Sequence, residues 1–80
     1  MNTILAQRTG NDDERMPRSI KRIRSAYGCS QSRLAEMSGV GIRSIQLYEQ
    51  RKKDINKAEV RSVLRLARAL GCEMEDIMEP

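Results

Sequence analysis

Arg43 and Gln46 stand three residues apart in the stretch Ser30 to Glu49, SQSRLAEMSGVGIRSIQLYE. A guanidinium can bond O6 and N7 of guanine with two N–H groups, and a glutamine amide can pair with N6 and N7 of adenine. Each such contact carries about 1–3 kcal/mol of discrimination between bases. Ile42, Ser44 and Leu47 are the other outward candidates on the same short helix. Ile42 and Leu47 are apolar, so they could touch thymine methyl groups, or pack against a neighbouring helix or a partner protein. Immediately downstream, Arg51-Lys52-Lys53-Asp54-Ile55-Asn56-Lys57 sets four cations in seven residues. Such a run is ordinarily a solvated face. Directly after a base-reading helix it has the composition of a phosphate clamp, which fixes register without reading sequence.

These side chains need two helices to position them. Ser30 precedes an apolar-periodic run and is a favoured N-cap, so a helix is predicted over about Gln31 to Ser38, with Leu34, Ala35 and Ser38 facing inward. Gly39 stops it, because glycine adopts the left-handed backbone without steric cost. Val40 is an apolar plug, and Gly41 takes the N-cap place of a second helix from about Ile42 to Gln50, whose Ile45 and Tyr48 are core residues. Two short helices joined by a tight glycine turn form a helix-turn-helix, which sets its second helix in a DNA major groove.

The rest of the chain supplies the support. Pro17 suits a first helical turn, and Ile20, Ile23 and Tyr27 then make an amphipathic first helix with Arg18, Lys21, Arg22 and Arg24 outside and Gly28 at its end. Ile55 is expected to plug the core. Asn56 is expected to cap a helix from about Lys57 to Leu70, with Glu59 as capping-box partner, and the N–H groups at that helix start could hold a phosphate. Val60, Val63, Ala67 and Leu70 form its apolar stripe, widened by Leu64 and Leu66. Gly71 ends it, and a last short helix, about Glu73 to Met78, carries Met74, Ile77 and Met78, which either close the core or form a dimer seam. Residues 1–16 hold the breaker cluster Thr9-Gly10-Asn11-Asp12-Asp13 and are expected to be a flexible arm. The acids at 12 to 14 argue against its entering a DNA groove.

Eighty residues make one domain, here expected over 17–80. There is no Phe or Trp and no alternating β-branched run, so the core must be aliphatic and the fold all-α. No apolar run of about 18 residues could span a membrane, and the polar start argues against a secretory signal; a cytoplasmic chain is expected. Without His, and with only Cys29 and Cys72, no zinc site and no other cofactor is expected; the thiols should be buried, unpaired small hydrophobes. The net charge of +4 is unevenly spread: residues 17–57 hold ten Lys/Arg against three acids, whereas both flanks are net acidic. A basic zone coinciding with the helix-turn-helix is the footprint of a phosphate-bearing partner. An enzyme has little support, since there is no convincing nucleophile–base pair and no glycine-rich phosphate loop after a strand.

Gln31 and Leu34-Ala35 in the first helix of the motif, Gly39-Val40 in the turn, and Ile45 with Tyr48-Glu49 in the second resemble the lambda repressor/Cro-type helix-turn-helix, the XRE family. Leu64 to Cys72, then Met74 to Met78, are similar to the family's fourth and fifth helices, so the resemblance covers roughly residues 18–79. It implies a compact five-helix lambda repressor-like domain and a sequence-specific double-stranded DNA-binding regulator, a repressor. One module of this size buries modest surface on DNA, so a homodimer, formed in solution or only on DNA, is expected. It also implies that Gln31 bonds a phosphate while bracing the recognition helix, and that Glu49 is structural. Arg33 stands where an acid is common, which forfeits a capping-box partner for Ser30 and adds charge near the DNA backbone. Ile42 and Leu47 stand where polar residues are frequent. The competing reading is a protein-interaction or antitoxin-like module on the same fold.

Overall fold

The computed structural model describes residues 19–79, which form α1 (Ile20–Tyr27), α2 (Gln31–Ser38), α3 (Ile42–Glu49), a 3-10 turn (Ile55–Lys57), α4 (Val60–Leu70) and α5 (Met74–Ile77). Among the described residues there is no strand, and the five-helix, all-α architecture is the one expected. The arm assigned to residues 1–16, and Pro17, lie outside the described residues.

Each of the six elements contributes one large aliphatic side chain that is fully buried: Ile20, Leu34, Ile45, Ile55, Leu66 and Ile77. Tyr48, Val63, Ala67 and Leu70 complete the core. Each fully buried aliphatic side chain contributes about 1.5–3 kcal/mol. Because the large apolar contributions are spread one to an element, no helix is dispensable, and α3 is seated through the shared core and its packing against α2 and α1. α2 packs against both α3 and α4, while α5 packs against α4 and α1. Among the described residues, no helix is long and apolar enough to cross a membrane.

Three expectations are corrected. First, α1 begins behind Ser19, whose extended backbone (φ −167°, ψ 154°) and Oγ, accepting the Arg22 N–H at 3.2 Å, make it the N-cap. The described helix therefore starts at Ile20. Its inward face is Ile20, Ile23 and Arg24. Tyr27, expected in the stripe, is 54 % exposed, because a polar cluster around Arg24 occupies the inner position at that end of the helix.

Second, α4 starts at Val60 with Glu59 at its N-cap, not near Lys57. Asp54 caps the preceding 3-10 turn by accepting the Asn56 N–H at 2.9 Å, and Ala58 is extended, so the backbone from 57 to 59 is not α-helical. Asn56 caps no helix. Val60 then falls in the first turn and is 68 % exposed, leaving Val63, Leu66, Ala67 and Leu70 as the buried stripe.

Third, α5 has only four residues. Its start is tied by the Asp76 side chain, which accepts the Glu73 N–H at 2.9 Å. Ile77 closes the core, while Met74 and Met78 are half-buried against it. Cys29 and Cys72 are also half-buried rather than fully enclosed, and both are unpaired. Burial pushes the Cys72 thiol pKa up, and Asp76 and Glu73 add to the effect.

Candidate nucleic-acid interface

The turn between α2 and α3 is built from small residues with defined tasks. Ser30 Oγ accepts the Arg33 N–H at 3.0 Å and caps α2, even though Arg33 offers no capping-box acid. Gly39 closes α2 in the left-handed region (φ 78°), and its N–H donates to the Ala35 carbonyl at 2.9 Å. Ser38 is buried, and its Oγ accepts the Val40 N–H at 3.1 Å, which fixes the plug residue. Gly41 then enters α3 extended and with no side-chain cap. The first-turn N–H groups of α3 have no side-chain acceptor, which leaves that end electropositive.

Ile45 and Tyr48 seat α3 on the core, as expected. Burial raises the Tyr48 hydroxyl pKa, with Glu59 adding to it. The five base-reading candidates divide in two. Ile42 and Arg43, in the first turn, are exposed, and the Arg43 side chain makes no hydrogen bond or ion pair among the described residues. Ser44, Gln46 and Leu47 are half-buried. Exposure is therefore greatest at the uncapped start of α3 and decreases along it.

At the other end of α3 lies a polar cluster in which Glu49 is structural and Gln31 braces the helix, as the resemblance implied, but in which the part of Arg24 was not foreseen. Arg24, assigned by the sequence to the outer face of α1, turns inward: its Nε and Nη2 donate to the two oxygens of Glu49 at 2.6 and 2.9 Å, and its Nη1 donates to the Cys29 carbonyl at 2.8 Å. The side chains are 15 % and 4 % exposed. The hydrogen bond to Glu49 raises the Arg24 pKa above its ordinary value against the opposing effect of burial. Gln31 joins them, its Nε2 donating to Glu49 Oε1 at 3.0 Å. A glutamine amide has two N–H groups, so one can brace Glu49 while the second stays available to an outside acceptor. The cluster ties α1 and the start of α2 to the last turn of α3. The signal for it was present: Arg24 lies four residues after Ile20 and one after Ile23, on the face that those residues bury.

The phosphate candidates are arranged unevenly. Arg33 is exposed and pairs with Glu36 one turn on, at 3.1 Å. Lys52, Lys53 and Lys57 are exposed; Lys53 Nζ lies 5.5 Å from the centre of the Tyr48 ring, a contact worth about 0.5–1 kcal/mol at such a site. Arg51 adopts a left-handed backbone (φ 58°), and its Nε sits 3.4 Å from Glu79 Oε1. Asn56 has both ends of its amide bonded to the Glu79 main chain, so it acts as a clasp on the segment after α5. Among the described residues, no group of three or more His, Cys, Asp or Glu could hold a metal ion.

Comparison with known proteins gives one result. No curated protein and no solved structure matches the chain. The helix-turn-helix family profile matches residues 20–77, from the first residue of α1 to the last of α5. With that span matched over the same helices, the chain belongs to the XRE family of helix-turn-helix DNA-binding domains, the lambda repressor/Cro type.

Proposed function

We propose that this DNA-binding domain is a sequence-specific transcriptional regulator, a repressor that occupies a short operator with α3 in the major groove. The observation that carries the reading is the start of α3: Arg43 is exposed and has no partner among the described residues, beside Ile42 at an uncapped helix end. In the proposed mechanism, Gln31, Arg33, Arg51, Lys52, Lys53 and Lys57 set the register on phosphates, and Arg43, Ser44 and Gln46 probe base edges. Ile42 and Leu47 supply apolar contact to thymine methyl groups. Asn56 is assigned to holding the loop rather than to the phosphate itself.

One copy presents a single short reading helix, so two copies on an inverted repeat are expected, with half-sites about 34–36 Å apart. An open groove of about 380 Å³ between α4 and α5, floored by Leu64, Ala67, Cys72, Met74 and Met78, is the surface we assign to the second copy. Arg61, Arg65 and Arg68 are exposed along α4, and Glu73 and Glu75 are exposed beside the groove. A surface carrying both signs of charge can complement itself across a two-fold axis, as a symmetric dimer requires.

The test is selection of bound duplexes from a random pool at low and near-physiological salt. An inverted repeat recovered at both salts is expected. Binding that vanishes with salt and leaves no motif would reduce the protein to a basic surface. The exposed Ile42 favours a second reading, a protein-interaction module; salt-insensitive capture of a protein partner through α3, with no duplex selected, is its signature.

A further inference from the structure

Glu79 follows α5 and reaches the loop that joins α3 to α4. Asn56 holds its main chain from both sides: the Glu79 N–H donates to Asn56 Oδ1 at 2.9 Å, and Asn56 Nδ2 donates to the Glu79 carbonyl at 2.9 Å. The Asn56 N–H is itself bound to Asp54 Oδ1, so the clasp is anchored in the 3-10 turn. With its main chain fixed there, Glu79 extends its carboxylate to Arg51, at 3.4 Å from Nε, with the two side chains 20 % and 48 % exposed. Lys52, Lys53 and Lys57 form no ion pair among the described residues. Of the loop's four cations, the carboxylate therefore takes only Arg51.

We infer that Glu79 is a positioning residue of the DNA interface that competes with phosphate for Arg51: in the free protein its carboxylate holds the guanidinium, and a DNA phosphate must displace it. The inference rests on reading the 51–57 loop as phosphate-binding. A carboxylate and a phosphate offer a guanidinium the same kind of acceptor oxygens, so one can replace the other. The pair is longer than the roughly 2.7–2.9 Å of a strong charge-assisted bond, and it is open to solvent, so it exchanges readily. Because Asn56 grips the main chain of residue 79, the carboxylate is presented again whenever the phosphate leaves. Arg51 then adds less to affinity than an unpaired cation would, and DNA held by backbone contacts alone is released sooner.

The experiment measures affinity for a short duplex of mixed sequence across a salt series, for the wild type, Glu79→Gln, Arg51→Gly and the double variant. Glutamine keeps the shape of residue 79 and leaves both main-chain bonds to Asn56 in place. Glycine at 51 keeps the left-handed turn while removing the cation. Glu79→Gln is expected to bind roughly two- to fivefold tighter at low salt. That gain is expected to disappear in the Arg51→Gly background. An unchanged affinity in Glu79→Gln overturns the inference, and so does a gain that persists without Arg51, which would be a general charge effect. If the wild type binds no duplex in a salt-dependent way, the DNA-binding reading itself fails and the inference falls with it; wild-type binding with a flat Glu79→Gln result removes the inference alone.

Discussion

Two arginines serve the last turn of α3 in opposite ways. Arg24 arrives from α1 and gives its whole guanidinium to the protein, with two bonds to Glu49 and one to the Cys29 carbonyl. Arg51 follows α3 in sequence and keeps nearly half its side chain in solvent, but its backbone is left-handed. The hydrogen bonds around Arg51 explain why. The Arg51 N–H donates to the Tyr48 carbonyl at 3.1 Å and the Lys52 N–H to the Leu47 carbonyl at 2.9 Å. The same pair of bonds closes α4, from Gly71 to Arg68 at 3.2 Å and from Cys72 to Ala67 at 3.0 Å. This is the helix closure that normally takes glycine at the left-handed position. At the end of α4 the chain uses glycine; at the end of α3, beside the proposed phosphate surface, it tolerates arginine. Strained backbone at a charged surface points to a side chain retained for what it contacts.

The largest effect should come from breaking the inward arginine. Glu49→Ala leaves the Arg24 guanidinium buried without its acceptor and is expected to cost about 3–5 kcal/mol of stability, read by urea or thermal unfolding. Replacing the pair together, as Arg24→Met with Glu49→Leu, should recover most of that loss, because an apolar pair of similar volume removes both charges. A double variant as unstable as Glu49→Ala would mean that the geometry of the bonds, including the one from Gln31, matters more than the compensation of charge.

Next comes Arg43, which has no partner among the described residues. Arg43→Ala should leave unfolding almost unchanged, since nothing among the described residues bonds that side chain. It should lower affinity for the selected operator and relax the preference at one base position by about 1–3 kcal/mol. Unchanged affinity with unchanged preference would remove Arg43 from the reading helix and shift weight to Ile42 and Gln46.

This contrast also marks where the sequence was legible. Apolar spacing located the five α-helices of the described residues and, with them, the buried Ile20, Leu34, Ile45 and Leu66, because burial of one face is written directly in periodicity. Ile77 was left open between core and dimer seam, and Ile55 sits in a loop that has no period to read. The Ser30 cap and the Gly39 turn were readable for a local reason: each acts within four residues of itself. Arg24–Glu49 and Asn56–Glu79 span 25 and 23 residues, and pattern alone does not pair polar groups across such distances. Asn56 was misread because a local role, the N-cap, fitted its neighbours equally well. Arg51 was hidden for another reason: the left-handed end of α3 lacks the glycine that signalled the end of α4.

The smallest effects test that last point by exchanging the two helix ends. Apart from its own chain neighbours, no atom lies within 4 Å of where a Cβ on Gly71 would stand, so any penalty there comes from the backbone (φ +67°) and not from a clash. Gly71→Ala is expected to lower stability by about 1 kcal/mol and to leave DNA affinity unchanged. Arg51→Gly is the reverse experiment. It relieves the left-handed strain but adds unfolded-state freedom and removes the weak pair with Glu79, so the net gain is expected to be about 0.5 kcal/mol. It should weaken duplex binding and flatten the salt dependence by close to one phosphate contact, a slope change of about 0.9. Stability and binding moving in opposite directions would identify Arg51 as a cation kept at a conformational cost. A variant that lost both would show instead that the Arg51 side chain holds the loop together, and the difference between the two helix ends would then be one of packing.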